Sequence, residues 1–330
     1  MDKPSDLMPS AGAAAKCGRV AVLMGGLSAE REISLKSGNA VLEALKTAGV
    51  DAFKFDLQEN ALQQLMDLKA DRVFNILHGR GGEDGTVQAV LDMLGIPYTG
   101  SGIYASALTM DKLATKRILL GSGIPTPPFM ELANEDDCRR LIDVLGLPVF
   151  VKPVLEGSSI GMTRVIDVAG LLPAWRKANQ YGAVFAETEI SGSEYTAAFL
   201  GAQVLPLIKL DTPREFYDYE AKYFANDTVY TCPSGLDEAM VGKIDELVEK
   251  TIKMTGVRHW GRIDLFVDED NQPWIIEVNT VPGMTDHSLV PMAGKQAGLE
   301  MPDLVLRILE LTLGTEARNA EFSKKGGAGQ

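Results

Sequence analysis

The chain has 330 residues, which at roughly 100–200 residues per domain allows two or three domains. Its hydrophobic share of 45% and charged share of 23% are ordinary for a globular protein and exclude disorder as the overall state. The net charge of -13 opposes general binding to the phosphate backbone of DNA or RNA, so an anionic ligand would need local basic residues.

The chain ends and the cysteines predict little structure. Residues 1–16 are rich in Ala, Ser, Pro and Gly and lack a long apolar stretch, so we expect a disordered tail and no signal peptide. A second disordered tail is expected over residues 319–330. Three widely spaced cysteines predict no disulfide framework and are typical of reduced, cytosolic thiols. No stretch reaches the roughly 18 apolar residues of a membrane span.

Strands and helices alternate over residues 17–101. Strands are predicted at residues 19–24, 50–57 and 72–77, and helices at 33–48, 61–68 and 86–94. This alternation favours a parallel, doubly wound sheet, so the first predicted domain is an N-terminal α/β domain.

The pattern changes after residue 101. For the second domain, residues 102–187, we expect one helix over 105–120, an extended proline-rich connection, helices at 136–145 and 168–179, and strands at 147–152, 162–166 and 184–189. For the third, residues 188–318, we expect strands at 194–200 and 203–209, a loop at 211–233, a helix at 238–255, a strand pair within 261–279 and a helix at 302–313.

The strand pair near the carboxyl end predicts a cluster of charged side chains. If its turn centres on residues 270–271, a two-residue or a four-residue loop places Asp264 opposite Glu277 and Arg262 opposite Asn279, all on one face. Opposed carboxylates about 5 Å apart repel by roughly 3 kcal/mol at an effective dielectric of about 20. A divalent cation bound between the two carboxylates would turn this repulsion into a net attraction, and oxygen ligands suit Mg²⁺. The alternative is a solvated outer face on which Arg262 neutralises one acid.

A small-residue loop is the best candidate for binding phosphate. Residues 156–161 (EGSSIG) offer backbone N–H groups and hydroxyls between two predicted strands, although no Walker A pattern occurs. Lys152 ends the preceding strand, and Lys112 lies in the run MDKLATK. The alternative is an ordinary hairpin loop with two surface lysines.

Two further features follow predicted parallel strands at the carboxyl ends, where open α/β sheets bind ligands. The turn beginning Gly25-Gly26 lacks the GxGxxG dinucleotide pattern, and Glu30 beside it suits a ligand ammonium or simply the helix dipole. His78 ends the third strand, where a histidine is more often structural than catalytic.

The loop over residues 211–233 contains the polar-aromatic run FYDYEAKYF. Loops of this length are often lids that exclude water, and Lys222 and Tyr223 could then approach a phosphoryl group. The alternative is a surface Ω-loop. No Ser/His/Asp triad or cysteine nucleophile is indicated.

Taken in order, these segments resemble the D-alanine–D-alanine ligases of the ATP-grasp superfamily, over roughly residues 18–314. The motifs are GGLSAEREISLKSG (25–38), HGRGGEDG (78–85), YTGSG (98–102), MDK (110–112), VKPVLEGSSIGM (151–162), FYDYEAKY (216–223), GRID (261–264) and EVNTVPGMTDHS (277–288). Thr-Glu-Ile at 188–190 departs from the Lys-Trp-Leu of some members, and Val281 from a frequent Ser.

The resemblance implies a three-domain ATP-grasp fold with ATP between the second and third domains. It implies that the γ-phosphate of ATP activates the carboxylate of one D-alanine, and that the amine of a second D-alanine attacks the acyl phosphate. The dipeptide would serve peptidoglycan synthesis in the bacterial cytoplasm. Two Mg²⁺ or Mn²⁺ ions and a homodimer are also implied, with no nucleic-acid or membrane partner.

The resemblance also implies roles for individual residues. Nucleotide contacts would come from Lys112, Lys152, Ser158, Glu187, Glu194, Lys222 and Asn279. The first D-alanine would be bound through its ammonium by Glu30, with His78, Ser158 and Tyr223 close by. Arg262 and the Gly283 N–H would stabilise the tetrahedral oxyanion, and Ser288 and Leu289 would bind the second carboxylate. The metal ligands would be Asp264, Glu277 and Asn279.

Three alternatives remain at this point. The first is a ligase that accepts D-lactate or D-serine as the second substrate, although Tyr223 stands where the D-lactate type typically has phenylalanine. The second is a nucleotide-binding regulator without catalysis. This alternative is disfavoured because the chain retains the charged and polar residues at 262, 264, 277 and 279. A Rossmann oxidoreductase is the weakest, because GxGxxG is missing.

Overall fold

The structure, a computed structural model, describes residues 7–212 and 228–313. The amino-terminal part contains β1 (Arg19–Gly25), α2 (Arg31–Thr47), β2 (Asp51–Leu57), α3 (Ala61–Met66), β3 (Arg72–Asn75) and α4 (Thr86–Leu94). The three strands are parallel in the order β2-β1-β3. The predicted α/β arrangement is confirmed, with element bounds shifted by up to two residues.

Strand β1 is buried on both faces, which explains its unbroken apolar sequence. Val20, Val22 and Met24 pack with α2 in one core, whereas Ala21 and Leu23 pack in another with residues of α3 and α4. At the α2 crossing a Cβ on Gly38 would lie 2.6 Å from Met24 Cβ, so only glycine allows this close approach.

The expectation of disorder over residues 1–16 is wrong for residues 7–16. Helix α1 (Ala13–Lys16) contacts α11 (Met301–Glu310), and Leu7 and Ala13 are buried. The Ser10 N–H also donates to the Glu310 carboxylate at 3.2 Å. A few apolar side chains thus dock a segment whose composition alone suggested a free tail.

The predicted helix over 105–120 is two helices, α5 (Ile103–Met110) and α6 (Lys112–Gly121). Asp111 lies between them with extended backbone, and its side chain accepts the Ala114 N–H as the N-cap of α6. Leu119 and Ile124 pack with the carboxyl-terminal sheet and not with the central one. Helix α5 and the end of α6 therefore join a different core from the one expected for the second domain, whereas Leu113 at the start of α6 packs with Val154 and Phe185 beside the central sheet.

The central sheet is antiparallel in the order β4-β7-β5-β6. Its strands are β4 (Phe129–Glu131), β5 (Val149–Pro153), β6 (Thr163–Val165) and β7 (Val184–Thr188), and it packs on α7 (Glu135–Val144) and α8 (Val168–Asn179). Only β4 was not predicted as a strand, because the prolines at 125, 127 and 128 just before it indicated extended backbone without showing a partner strand.

The carboxyl-terminal sheet is also antiparallel, in the order β11-β10-β8-β12-β13 with β9 paired to β8. Its strands are β8 (Gly192–Leu200), β9 (Gln203–Val204), β10 (Ile208–Asp211), β11 (Val229–Thr231), β12 (Trp260–Asp268) and β13 (Pro273–Asn279). The remaining helices are α9 (Glu238–Thr255) and α10 (Leu289–Gln296). The single strand expected at 203–209 is split in two, and β11 and α10 were not predicted. No helix in the described ranges is long and apolar enough to cross a membrane.

Candidate active site

The β12–β13 hairpin places the predicted charged side chains together. Asp264 pairs directly with Glu277 and Arg262 with Asn279, as expected. Beyond Asp264 the register shifts by one residue, so that Leu265 pairs with Ile275. The turn is correspondingly a three-residue loop, closed by the Asp268 N–H donating to the Gln272 carbonyl. The expected loop lengths of two or four were wrong, and the bulge restores the expected register at the site.

Each of the two opposed carboxylates lies near a cation. Arg262 donates two hydrogen bonds to Asp264, from Nε to Oδ1 at 2.8 Å and from a terminal nitrogen to Oδ2 at 2.7 Å. Lys112 Nζ lies 3.7 Å from Glu277 Oε2. Asp264 is only 7% exposed, so this is not the solvated outer face of the alternative interpretation.

The donor chemistry of this face suits a hard cation. Asp264, Glu277 and Asn279 offer carboxylate and amide oxygens from neighbouring strands, the ligand type of Mg²⁺. Within residues 7–212 and 228–313, no three His, Cys, Asp or Glu side chains are grouped to hold a metal. A cation here would therefore need further oxygens from solvent or a bound phosphate.

A first cavity of about 450 Å³ lies between the central and carboxyl-terminal sheets. It brings together seven predicted site residues: Lys112, Lys152, Ser158, Glu187, Glu194, Asp264 and Glu277. The loop over residues 156–160 also lines it, so the predicted phosphate loop and lysines share one space. Its two lysines and the small polar loop offer donors for phosphate oxygens, whereas the carboxylates that also line it suit a metal cation or the donor groups of a ligand.

A buried lysine that the sequence did not single out sits behind this cavity. Lys116 is 1% exposed, and its Nζ lies 2.6 Å from Glu187 Oε2, while Lys152 bonds the other oxygen. Burial alone raises the pKa of Glu187, but the charges and hydrogen bonds of the two lysines outweigh it and lower that pKa to about 2. Glu187 is therefore a fixed carboxylate, held by two cations.

The loop at 156–161 has strained backbone at the point where it meets the amino-terminal domain. Ser158 and Ser159 have φ of 52° and 60°, in the left-handed region that non-glycine residues rarely occupy. Ser158 Oγ donates to Glu30 Oε1 at 2.6 Å, and Lys112 Nζ donates to the Glu156 carbonyl at 2.7 Å. Such strain is retained chiefly at functional sites.

A second cavity of about 330 Å³ adjoins the first. Residues predicted to bind substrate line it: Glu30, His78, Ser158, Arg262, Gly283, Ser288 and Leu289, together with Asn279. Lys112, Ser158 and Glu277 line both cavities, so the two ligand spaces meet at these residues. Lys222 and Tyr223 lie outside the described residues.

Both ring nitrogens of His78 make hydrogen bonds, one to the carboxyl-terminal domain and one to α2 of its own domain. Nδ1 lies 2.8 Å from the Val281 carbonyl oxygen and Nε2 lies 3.3 Å from Ser37 Oγ. Burial lowers the pKa of His78, against the opposing influence of Glu30, so the ring is neutral with its proton on Nδ1. This arrangement fits an orienting role and leaves no ring nitrogen for acid–base chemistry.

Glu83, which the sequence did not single out, also lines the second cavity. Its carboxylate accepts the N–H groups of Gly79 at 2.7 Å and Val281 at 3.2 Å. Burial and the nearby Glu30 raise the pKa of Glu83 to about 8. Its position in the HGRGGEDG motif was a usable signal, but its partner Val281 is 198 residues away in sequence.

Comparison with known proteins decides the family. Residues 57–101 match the family model described as D-ala D-ala ligase N-terminus, and residues 118–310 match D-ala D-ala ligase C-terminus. The D-alanine–D-alanine ligase of Methylococcus capsulatus is 55% identical over 90% of this chain and 96% of its own length. The chain belongs to the D-alanine–D-alanine ligase family.

Solved structures of family members agree with this assignment. The ligase from Bacillus anthracis superposes with a TM-score of 0.80 at 33% identity, covering 91% of this chain and 99% of its own. Its complex with ATP gives a TM-score of 0.79 at 30% identity, with the same coverage of both chains. The VanG D-Ala:D-Ser ligase from Enterococcus faecalis gives a TM-score of 0.77 at 29% identity, covering 89% of this chain and 99% of its own. The fold is therefore the α/β ATP-grasp fold expected from the resemblance.

Proposed function

We propose that this member of the D-alanine–D-alanine ligase family joins two D-alanine molecules to D-alanyl-D-alanine at the expense of ATP, for peptidoglycan synthesis in the cytoplasm. The observation that carries the proposal is the meeting of the two cavities at Lys112, Ser158 and Glu277. A nucleotide in the first cavity and an amino acid in the second would place the γ-phosphate beside the carboxylate that receives it. Positioning of this kind supplies most of the catalysis in phosphoryl transfer.

The first cavity supports nucleotide binding. Lys112 and Lys152 would contact the phosphates, and Glu187 and Glu194 would contact the adenine and ribose. The loop over 156–161, with Ser158, would cradle phosphate oxygens through its N–H groups and hydroxyls. The ATP complex of the Bacillus anthracis relative supports the use of ATP.

Asp264, Glu277 and Asn279 would hold Mg²⁺ or Mn²⁺, two ions by resemblance to the family. A bound divalent cation neutralises phosphate charge and orients the transferred group. In this structure Arg262 neutralises Asp264 and Lys112 neutralises Glu277. A metal bound by these carboxylates would leave both basic side chains available to the charges of the substrates.

In the second cavity, Glu30 would bind the ammonium of the first D-alanine, with His78 and Ser158 fixing its surroundings. The carboxylate of that D-alanine attacks the γ-phosphorus and ADP leaves. The amine of the second D-alanine then attacks the acyl carbon, loses a proton and expels phosphate. Water must be excluded while the acyl phosphate exists, a role we assign to the segment containing Lys222 and Tyr223.

Arg262 and the Gly283 N–H would stabilise the tetrahedral oxyanion formed in that second step. The Gly283 N–H has no hydrogen-bond acceptor among the described residues, although it lines the second cavity. Ser288 and Leu289, at the start of α10, would bind the carboxylate of the second D-alanine.

We further propose three domains, over residues 17–101, 102–187 and 188–318, with residues 102–124 packed on the third.

We also propose a homodimer. Helices α3 and α4 contact each other and expose Leu62, Met66 and Met93, the last at 88%. An exposed apolar surface of this kind favours self-association.

The testing experiment is phosphate release from ATP with Mg²⁺, comparing D-alanine with L-alanine. We expect release with D-alanine only, and near-background release would contradict the proposal. Adding D-serine or D-lactate to D-alanine tests the alternative acceptors; the VanG relative makes D-serine the one to examine first. Magnesium-dependent ADP formation would also exclude a regulator that has lost catalysis.

A further inference from the structure

The loop over residues 281–284 is held by three side chains of the amino-terminal domain. His78 Nδ1 donates to the Val281 carbonyl oxygen at 2.8 Å, and the Val281 N–H donates to Glu83 Oε1 at 3.2 Å. At the other end of the loop, the Met284 N–H donates to Ser37 Oγ at 3.2 Å. A segment of the carboxyl-terminal domain is thus tied at both ends to another domain.

The direction of each hydrogen bond in this group is fixed. The carbonyl of Val281 can only accept, so His78 carries a proton on Nδ1, and because burial keeps the ring neutral by lowering the pKa of His78, its Nε2 is an acceptor. The hydroxyl of Ser37 therefore donates to His78 Nε2, 3.3 Å away, while its oxygen accepts the Met284 N–H. Ser37 is 0% exposed and is the junction between the histidine and the far end of the loop.

These anchors leave one backbone donor of the loop for a ligand. The N–H groups of Val281 and Met284 are occupied, and Pro282 has none. Gly283 remains, and a Cβ added there would lie 3.0 Å from Ser288 Oγ. The anchored loop therefore determines where the Gly283 N–H lies relative to Ser288.

We propose that Ser37 is a positioning residue, which through Met284 and His78 holds the 281–284 loop in the geometry needed by the second, acceptor D-alanine. The inference rests on the proposed function, because it takes Gly283 and Ser288 as the groups that meet the acceptor. Ser37 borders the second cavity but is 0% exposed, and the role needs no contact between Ser37 and substrate. Displacements of about 1 Å at such a site can lower rates by as much as 100-fold.

The same helix provides a matched control. Ser34 is also 0% exposed, and its hydroxyl likewise makes two hydrogen bonds, accepting from the Gly25 N–H at 2.9 Å and donating to the Ile76 carbonyl at 2.8 Å. Both of these partners belong to the amino-terminal domain. Ser34→Ala therefore removes a buried hydroxyl of equal burial without touching the 281–284 loop.

The experiment compares Ser37→Ala, Ser34→Ala and the wild type in initial-rate assays over a wide range of D-alanine concentration, which separates the KM values of the two D-alanine sites. We expect Ser37→Ala to lower kcat/KM for the acceptor about tenfold or more, with the KM for ATP and for the first D-alanine within twofold. Ser34→Ala should leave all of these within twofold at temperatures where both variants are folded.

The inference would be overturned if the two serine variants had the same kcat/KM for the acceptor D-alanine. It would also be overturned if Ser37→Ala weakened ATP binding as much as it lowered the acceptor kcat/KM. Glu83→Gln tests it independently, because the amide NH2 of glutamine would face one of the two N–H groups that the Glu83 oxygens accept. This variant should again lower the acceptor kcat/KM, and an unchanged value counts against the inference. An inactive wild type would instead contradict the proposed function, so the two failures are distinguishable.

Discussion

Asp264 and Glu277 face each other directly across β12 and β13, and each is paired with a different cation. Arg262 binds Asp264 through two hydrogen bonds, and Lys112 Nζ lies 3.7 Å from Glu277. Because the two acids would otherwise repel each other by roughly 3 kcal/mol, the hairpin depends on positive charge at this face. In the proposed reaction a bound divalent cation would neutralise these two carboxylates, and Arg262 and Lys112 would then be available to the charges of the substrate and the phosphates.

Glu277→Gln tests the metal face. The substitution keeps the size of the side chain but removes one anionic ligand, so we expect the Mg²⁺ concentration for half-maximal activity to rise by about 10- to 100-fold. Titration of phosphate release with Mg²⁺ measures it. Glu269→Gln, an exposed change in the turn of the same hairpin, is the control and should leave the requirement unchanged. Identical Mg²⁺ curves for the two variants would contradict a metal site at Glu277.

Arg262→Ala tests the oxyanion role. Loss of a donor to the tetrahedral intermediate should lower kcat by about 100- to 1000-fold, or roughly 3–4 kcal/mol in the barrier. Direct titration should show ATP binding largely intact, because Arg262 lines the second cavity and not the first. Near-wild-type phosphate release from this variant would contradict its assignment.

Lys116→Met tests the buried pair with Glu187. Removing one partner leaves part of a buried charge uncompensated, so we expect the free energy of unfolding to fall by about 3–5 kcal/mol. The KM for ATP should rise as well, because Glu187 lines the first cavity. Arg117→Met, next in the chain, breaks a pair with Glu131 in which both side chains are about half exposed, and should cost less than about 1 kcal/mol. Denaturant unfolding compares the two, and equal costs would contradict a stabilising role for Lys116.

Binding of D-alanine should release protons through Glu83. Burial and Glu30 raise the pKa of Glu83 to about 8, so near pH 7 it is mostly protonated before ligand binds. A substrate ammonium beside Glu30 cancels the negative charge of Glu30 and also stabilises a negative charge on Glu83. The pKa of Glu83 therefore falls, and its proton leaves. Calorimetry with a non-hydrolysable ATP analogue, in buffers of different ionisation enthalpy at pH 7.5, measures the release. Equal proton release by wild type and Glu83→Gln would contradict this coupling.

The sequence was most informative where local pattern determines geometry. Alternation along residues 262–264 and 277–279 was enough to place the four charged or polar side chains on one face, and the structure confirms those pairs. The bulge near Ile275 has no local sequence signal and was not predicted. The loop length differs by one residue from the expected lengths, and the bulge shifts the register by one residue, so the two differences cancel at the site. The break at Asp111 had a readable signal, since aspartate is a preferred N-cap residue.

The contacts that the sequence missed are those made over long separations. A lysine on an amphipathic helix is normally exposed, so nothing local marked Lys116 as buried beside Glu187. Ser37 and Met284 are 247 residues apart, and only the packing of the two domains brings them together. The docking of Leu7 likewise depends on tertiary contacts that composition does not record.

The central claim is that ATP drives the joining of two D-alanine molecules at the meeting point of the two cavities. The most direct measurement is product analysis by mass spectrometry of wild-type reactions containing ATP, Mg²⁺ and either D-alanine or L-alanine. The account predicts one D-alanyl-D-alanine for each ADP and each phosphate with D-alanine, and no dipeptide with L-alanine. ATP hydrolysis without dipeptide, or dipeptide formed equally from L-alanine, would contradict it.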